Sequence, residues 1–219
     1  QEVCSLLHGA NFKLNVIKCE VARKEILFLG HLILDGTIKP DPENIRGLAE
    51  TKEPTTAEEA FRFVKAAEYY RNFIPKFSAI AAPLHKYSPS TTTVPKNTKS
   101  KFEFSDEARA AFHQLKQILT DDLILALPDD TLPFKVQTDA SVDGIGGVLL
   151  QITSNGDRPL AYMSKKLTTT QMNWPTIEQE CYAIVQAVDK WDKYLRGREF
   201  ILETDHEPLV SFTNKEQLN

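Results

Sequence analysis

The chain has 219 residues and a formal net charge of −4, which by itself does not indicate a nucleic-acid-binding protein. The charge is uneven, since residues 1–101 hold 15 Lys and Arg against 11 Asp and Glu and residues 102–219 hold 11 against 19, so two modules with different tasks are expected. Three widely spaced cysteines without a CxxC pair exclude a disulfide framework and fit an intracellular protein, and no run of about 18 apolar residues could span a membrane.

The first half of the chain is predicted to form a small antiparallel sheet followed by helices. Residues 26–38 contain two apolar runs that meet at Gly30-His31 and lead into an Asp-Gly turn, a pattern typical of a hairpin or meander. Residues 88–101 are rich in Ser, Thr and Pro and are interpreted as a linker. Side chains able to cap a helix N-terminus occur at three places, namely Asp41 before Pro42, Thr56 with Glu59 three residues later, and Ser78.

In the second half, Ser105 is predicted to cap an amphipathic helix, and from Pro133 the apolar period changes to two. Strands are predicted at Phe134–Asp139, Gly144–Ile152, Pro159–Met163 and Phe200–Thr204. A long helix lies between the last two strands and is predicted to be capped by Thr176 together with Gln179. Its predicted buried stripe is Cys181, Ile184, Val188, Trp191 and Leu195.

Three acidic residues occupy positions in these elements where side chains can meet. Asp139 ends the first of these strands, Glu180 lies near the start of the long helix, and Asp205 follows the last strand. If the two strands are parallel neighbours, their ends lie about 5 Å apart, and the helix packed on the sheet can bring Glu180 alongside. Clustered carboxylates repel one another unless a cation is present, and such hard oxygen ligands suit magnesium.

Each of these residues, taken singly, has a simpler explanation. An Asp at a strand end often caps a turn, and a Glu in the first turn of a helix interacts favourably with the helix dipole. The order of the three carboxylates carries more information, because a transposase or integrase would order them Asp, Asp, Glu. An aspartic protease is excluded because Asp139 is followed by Ala-Ser rather than by Thr/Ser-Gly.

Longer motifs resemble those of a known family. The segments TDASVDGIGGVLLQ, RPLAYMSKKLT, TIEQECYAIVQAVDKWDKYLRGREF and TDHEPL resemble the RNase H domain of gypsy-type long-terminal-repeat retrotransposons. The segments NFKLNVIKCEVARKEILFLGHLI, GTIKPDPENI and YYRNFIPKFSAIAAPL are similar to the reverse transcriptase of the same Pol polyprotein. The resemblance covers nearly the whole chain, in the family's order.

The resemblance implies a fold of mixed α/β and α+β character in four parts. Residues 1–40 would end the polymerase palm, 41–87 would form the helical thumb, 88–132 a linker and connection segment, and 133–219 an incomplete RNase H-like mixed sheet with a crossover helix. Within the first part, a hairpin matches the primer grip, which holds the primer end: Phe28, Leu29, Gly30 and His31.

The resemblance also implies contacts with nucleic acid phosphates. The thumb candidates are Arg62, Lys65, Arg71 and Lys76, and those of the RNase H module are Lys165, Lys166, Lys190, Lys193, Arg196 and Arg198. Two positions of the thumb helix depart from the family pattern, since Lys65 stands where the family usually has Gly and Glu68 where it has Asn. The close packing or backbone contact that Gly and Asn allow in the family is therefore not expected at Lys65 and Glu68.

Parts of the family's catalytic machinery have no counterpart in this sequence. The palm motif, an aromatic-x-Asp-Asp, does not precede residue 26, and the pairs Asp121-Asp122 and Asp129-Asp130 are interpreted as helix-end and turn residues, so no polymerase activity is expected. Asp139, Glu180 and Asp205 match the first three RNase H carboxylates, but the fourth, an Asp beyond a fifth strand, is not matched. Nuclease activity of this chain is therefore expected to be absent or very weak with magnesium, with manganese restoring a trace.

The chain begins at Gln1 rather than Met and closes at Asn219 on a polar stretch, so both ends are expected to be cuts through a longer polypeptide. Phe200–Thr204 is then expected to be an edge strand through which the module associates or aggregates.

The implied parent protein copies RNA into DNA and hydrolyses the RNA of RNA–DNA hybrids with two metal ions, magnesium or manganese, held by Asp139, Glu180 and Asp205. Its partners would be the hybrid, the template–primer duplex and the rest of the Pol polyprotein, in a cytoplasmic particle or the nucleus and without a membrane. The alternative is a catalytically dead remnant, or a domesticated RNase H-like scaffold that binds without cutting.

Overall fold

The computed structural model describes residues 2–89 and 102–210. The elements before residue 90 are, in order, α1 (Glu2–Gly9), a 3-10 turn (Val16–Lys18), β1 (Glu25–Phe28), β2 (His31–Leu34), β3 (Thr37–Pro40), α2 (Pro42–Ala49), α3 (Ala57–Glu68), a second 3-10 turn (Arg71–Phe73) and α4 (Phe77–His85). Those from residue 102 onward are α5 (Asp106–Thr120), β4 (Leu125–Ala126), β5 (Phe134–Ser141), β6 (Gly144–Thr153), β7 (Gly156–Lys166), α6 (Thr169–Met172), α7 (Thr176–Lys190), α8 (Asp192–Leu195), β8 (Phe200–Thr204) and α9 (Glu207–Val210).

The first sheet is an antiparallel meander in the order β1-β2-β3-β4, as the apolar runs predicted. Leu29 and Gly30 connect β1 to β2 with positive φ at both residues, and Asp35 and Gly36 do the same between β2 and β3. Positive φ at both central positions is typical of the tight turns that match the twist of a hairpin.

A helical core packs beside this sheet and is formed by α3, α4 and α5. The Phe63 and Phe112 rings lie 4.4 Å apart, between α3 and α5, and Ala81 and Leu84 of α4 are fully buried in the same cluster. Helix α5 therefore shares one core with the helices of the predicted thumb, although it follows the predicted linker, most of which lies outside the described residues. The four domain boundaries remain predictions.

Three of the five predicted helix caps are confirmed. The side chains of Asp41, Thr56 and Ser105 each accept a hydrogen bond from a backbone N–H in the first turn of the following helix. The predictions for Ser78 and Thr176 are wrong. Lys76 precedes α4 and Pro175 precedes α7, and neither side chain forms a capping hydrogen bond. Gln179, predicted to complete a capping box, instead donates to the carbonyl oxygens of Gln171 and Met172 and so attaches α7 to α6.

The second sheet has the order β7-β6-β5-β8, with β5 antiparallel to β6 and parallel to β8. The pairing of β5 with β8 runs from Phe134 opposite Phe200 to Thr138 opposite Thr204. Within the described chain β8 ends this sheet, as predicted for Phe200–Thr204, and its Ile201 and Leu202 side chains are exposed.

Helix α7 covers this sheet with a narrower face than the apolar pattern predicted. Trp191 and, in α8, Leu195 are buried as expected, but Cys181 is exposed, and Ala183 and Ala187 are the fully buried apolar residues of α7. Small side chains let the helix approach the strands closely. A Cβ at Gly147 in β6 would lie 3.4 Å from the Trp191 ring and 3.1 Å from the Gln137 carbonyl oxygen, so the glycine makes room for this contact.

A polar joint connects the two modules, between the second 3-10 turn and α4 on one side and β7 on the other. The Arg71 guanidinium donates to the Ser164 carbonyl oxygen at 2.7 Å, and the Ser78 N–H donates to the Ser164 hydroxyl at 2.9 Å. Lys190 donates to the Asn72 side chain at 3.0 Å and to the Tyr162 carbonyl oxygen at 3.2 Å. Among the helices described, none is both long and apolar enough to cross a bilayer.

Candidate metal centre and nucleic-acid surface

Asp139, Glu180 and Asp205 come together at one end of the second sheet. The last paired residues of β5 and β8 are Thr138 and Thr204, so the two aspartates that follow them lie side by side. Glu180 reaches them from α7, which packs on β5 and β6. One carboxylate oxygen from each residue lies within 4.8 Å of the other two, so the predicted convergence is confirmed.

Glu180 is the buried member of this cluster, with 3% of its surface exposed, whereas Asp139 and Asp205 are open to solvent. Its Oε1 accepts a hydrogen bond from the Ala140 N–H at 3.2 Å, and its buried Oε2 has no hydrogen-bond partner among the residues that the structure describes. Burial raises the pKa of the Glu180 carboxyl, the Ala140 N–H opposes this rise, and the negative charges of Asp205 and Asp139 add to it.

The cluster fits a divalent cation on chemical grounds. Its donors are oxygens of carboxylates, the ligands that hard divalent ions prefer. An unpartnered, buried carboxylate oxygen beside two further negative charges is costly without a positive charge nearby. Asp139, Glu180 and Asp205 can therefore hold a divalent metal ion.

Lys76 also reaches the cluster, which the sequence did not reveal. Its ammonium lies 3.8 Å from Asp139 Oδ2, and this is the one ion pair that Asp139 forms with the described residues. The sequence motif placed Lys76 in the thumb, more than sixty positions before Asp139. The contact depends on how α4 docks against β7, for which no local sequence signal exists.

The predicted primer-grip residues form the β1–β2 turn. Phe28 and Leu29 are 56% and 71% exposed at its tip, so they are available to a ligand. The hydroxyls of Tyr69 and Tyr70, just after α3, donate to the Leu29 and Gly30 carbonyl oxygens and so hold the turn against the helices.

His31, the fourth primer-grip residue, is half-buried and faces the helices. Its ring stacks on Phe73 with centroids 5.6 Å apart and lies 5.4 Å from the Tyr69 ring. The structure therefore gives His31 a packing role in which it supports the turn from behind.

Apart from Lys76, the predicted phosphate contacts fall into two groups. In the first group the side chains stay on the surface: Arg62 pairs with Glu58 and Lys193 lies over the Tyr194 ring, while Lys166 lines a groove beside Asp139. Lys65, Arg196 and Arg198 belong to the first group as well and pair with Glu68, Asp192 and Asp130. Lys165 is also exposed, although its ammonium is bonded to the Tyr182 hydroxyl and to Gln186.

In the second group are Arg71 and Lys190, which form the polar joint between the modules. Their donors are directed at protein acceptors, so the structure supports a role in positioning the modules, and phosphate contact stays a prediction for both. Burial lowers the pKa of Lys190 to about 8, with a smaller contribution from the positive charge of Arg71.

The two Asp-Asp pairs have the structural roles that the sequence predicted. Asp121 is the C-cap residue of α5, and Asp122 forms an exposed ion pair with Lys39. The Asp129 carboxylate accepts hydrogen bonds from the backbone and hydroxyl of Thr131 in a turn. Neither pair belongs to the carboxylate cluster.

The sequence and the fold are similar to a known class of protein. Residues 104–202 match the family described as the RNase H-like domain found in reverse transcriptase. The chain has the fold of the foamy viral protease-reverse transcriptase in complex with double-stranded DNA, with a TM-score of 0.75 and 21% identity over 99% of this chain and 37% of that one. A structure of that viral protein with an RNA/DNA hybrid gives a TM-score of 0.74 at 23% identity, over 93% of this chain and 27% of the viral chain.

Sequence relatives define the family more narrowly. The chain is 36% identical over 212 residues to the retrovirus-related Pol polyprotein from transposon opus of Drosophila melanogaster, covering 95% of this chain and 21% of the relative. It is 38% identical to the corresponding polyprotein from transposon 297 of the same fly, covering 95% and 19%. The chain is thus similar over nearly its whole length to part of the Pol polyproteins of gypsy-type retroelements, and residues 104–202 match the RNase H-like domain found in reverse transcriptase. It spans about a fifth of the length of the curated relatives it matches.

Proposed function

We propose that, within the longer Pol polyprotein, the C-terminal module hydrolyses the RNA strand of RNA–DNA hybrids with magnesium held by Asp139, Glu180 and Asp205. The observation that carries this proposal is the cluster of three carboxylates within 4.8 Å, one of which has a buried oxygen without a partner. Magnesium suits this donor set because it shares its coordination sites between a few carboxylates, waters and substrate phosphates. Manganese is the expected substitute.

The three carboxylates have different tasks in this proposal. Asp139, exposed near the end of β5, would hold the metal ions together with Asp205, and Glu180 would hold them from the buried side of the cluster. Bound divalent ions of this kind activate a water and stabilise the leaving oxygen of a phosphodiester. The Ala140 N–H fixes Glu180 through its Oε1, and Oε2 has no hydrogen-bond partner among the described residues, so that little reorganisation is needed when a metal ion binds.

We also propose that the first module holds the duplex for the polymerase of the longer Pol polyprotein, which copies RNA into DNA. The exposed turn with Phe28 and Leu29 would contact the primer strand, and Arg62 would contact phosphates. Support comes from the related fold of the foamy viral protein, which was solved with double-stranded DNA and with an RNA/DNA hybrid. The partners would then be these duplexes and the remainder of the polyprotein, in a cytoplasmic particle or the nucleus.

The nuclease proposal is tested by incubating the chain with a labelled RNA–DNA hybrid in magnesium and in manganese. We expect cleavage of the RNA strand with manganese and little or none with magnesium, because three carboxylates hold the ions less well than four. Asp139→Asn should abolish the cleavage. Asp143→Asn is the matched control, because Asp143 lines the neighbouring groove without belonging to the cluster.

Two results would count against the nuclease proposal. Cleavage that persists in Asp139→Asn would show that a contaminating nuclease, or a different site of this chain, is responsible. A chain that binds the hybrid but does not cut it with either metal would support the alternative of a non-catalytic binding scaffold.

A further inference from the structure

The ion pair of Lys76 with Asp139 joins the helical module to the candidate metal centre. The two side chains are 75% and 55% exposed, and their charged atoms lie 3.8 Å apart. Exposed pairs at this distance contribute little to stability and exchange readily for another partner. Lys76 is therefore free to leave Asp139 when a negatively charged ligand arrives.

The backbone of Lys76 is held in place although its side chain is open. Its φ of +53° lies in the left-handed region, which a residue with a side chain adopts only when the surroundings impose it. The imposing contacts are those of the polar joint, because Arg71 and Ser78 on either side of Lys76 both bond to Ser164 of β7. The joint therefore places the Lys76 ammonium at the metal centre.

Lys76 stands between two grooves that meet at Asp139. One groove is lined by Lys76, Asp139 and Lys166, with the hydroxyl-bearing residues Ser141 and Ser164. The other is lined by Lys76, Asp139, Gln137 and Tyr162. A strand that follows these grooves across the carboxylates must pass Lys76.

We infer that Lys76 is a substrate-binding residue of the nuclease site, where its ammonium holds a phosphate of the strand being cut next to Asp139. This inference rests on the proposed function and adds a residue from the helical module to it. On binding, Lys76 exchanges Asp139 for the phosphate, which leaves the Asp139 carboxylate to the metal ions. The polar joint then sets the distance between the part of the duplex held by the helical module and the site of cleavage.

The test is the salt dependence of binding of a fluorescent RNA–DNA hybrid to the full chain, with calcium present. A lysine that contacts one phosphate contributes about one unit to the slope of log affinity against log salt concentration. Lys76→Met should lower this slope by about one unit, and Lys76→Arg should keep the wild-type slope. Lys86→Met is the matched control, since Lys86 lies at the other end of α4 and pairs weakly with Glu107, and it should leave the slope unchanged.

Four outcomes would overturn the inference. If Lys76→Met keeps the wild-type slope but binds the hybrid more weakly, Lys76 acts only through the structure. If the slope is unchanged and manganese binds more tightly to the variant, Lys76 is merely a counter-ion of Asp139. If the wild-type chain does not bind the hybrid, the proposed function fails together with this inference. If Lys76→Met binds the hybrid normally and with an unchanged slope, only this inference fails.

Discussion

Glu180 combines burial, negative charge and an unpartnered oxygen in one side chain. Burial raises its pKa, and the nearby Asp205 and Asp139 carboxylates raise it further. A carboxyl whose pKa is higher in the folded chain than in the unfolded chain contributes stability at low pH, and this contribution is lost as the pH rises through the folded-state pKa. At neutral pH and without metal, the charged Glu180 therefore lowers the free energy of unfolding.

Replacing Glu180 by Gln should stabilise the metal-free chain at neutral pH by about 1 kcal/mol, a typical gain when a functional charge is removed. The amide oxygen can still accept the Ala140 N–H while the charge disappears. Urea unfolding in the presence of a chelator measures this, and the advantage of Glu180→Gln should vanish as the pH is lowered towards the ordinary carboxyl range. The control Glu178→Gln, on the exposed side of the same helix, should give no gain. A destabilised Glu180→Gln chain would contradict this account.

At the scale of single residues, the sequence predicted the carboxylates but not their environment. Asp139 and Asp205 follow two strands whose parallel pairing could be expected from the crossover helix between them, so their meeting was predictable. The hydrogen bond from Ala140 and the approach of Lys76 depend on helix docking and on a left-handed backbone, which no local pattern encodes.

At the scale of elements, strands were easier to predict than helix faces. The predicted bounds of β8, Phe200–Thr204, agree with the structure, because a short apolar run that is followed by Asp205 marks a strand end clearly. The buried face of α7 was predicted from its large apolar residues, whereas the structure buries Ala183 and Ala187 and exposes Cys181. Small side chains let the helix lie close to the sheet, whereas an apolar sequence pattern favours large side chains as the buried ones.

The ammonium of Lys190 in the polar joint is expected to make the stability of the folded chain depend on pH. Lys190 is exposed as a residue, but its ammonium is held between Asn72 and the Tyr162 carbonyl oxygen, and its desolvation there lowers its pKa to about 8. Between pH 8 and the ordinary lysine value the unfolded chain therefore binds more protons than the folded one. The stability of the wild type relative to Lys190→Met should therefore rise with pH in this window, by about 1 kcal/mol or less because solvent screens a partly exposed group. Urea unfolding at both ends of the window measures the difference.

The control for this prediction is Lys86→Met, at a lysine of α4 that is exposed and forms one long ion pair. The stability difference between the wild type and that variant should stay constant over the same pH range. A constant difference for Lys190→Met as well would show that the Lys190 ammonium is solvated rather than buried in the joint.

At the scale of the whole molecule, the two modules form one unit. Ser164 accepts from Arg71 and Ser78, and Lys190 bonds to Asn72, so the helices that follow the primer-grip turn are held at a defined position on the RNase H-like sheet. The distance between the β1–β2 turn and the carboxylates is thereby set by the fold. The order of the motifs along the chain predicted both modules, but the joint could be seen only in three dimensions.

The most direct test of the central claim, that Asp139, Glu180 and Asp205 form a metal centre, is manganese binding measured by electron paramagnetic resonance of the free ion. We expect the wild-type chain to bind manganese and both Asp139→Asn and Glu180→Gln to weaken binding by about tenfold or more, since even outer-shell changes cost that much at metal sites. Asp143→Asn, outside the cluster, should bind as the wild type does. Equal manganese affinity in the wild type and in Asp139→Asn would contradict the metal centre.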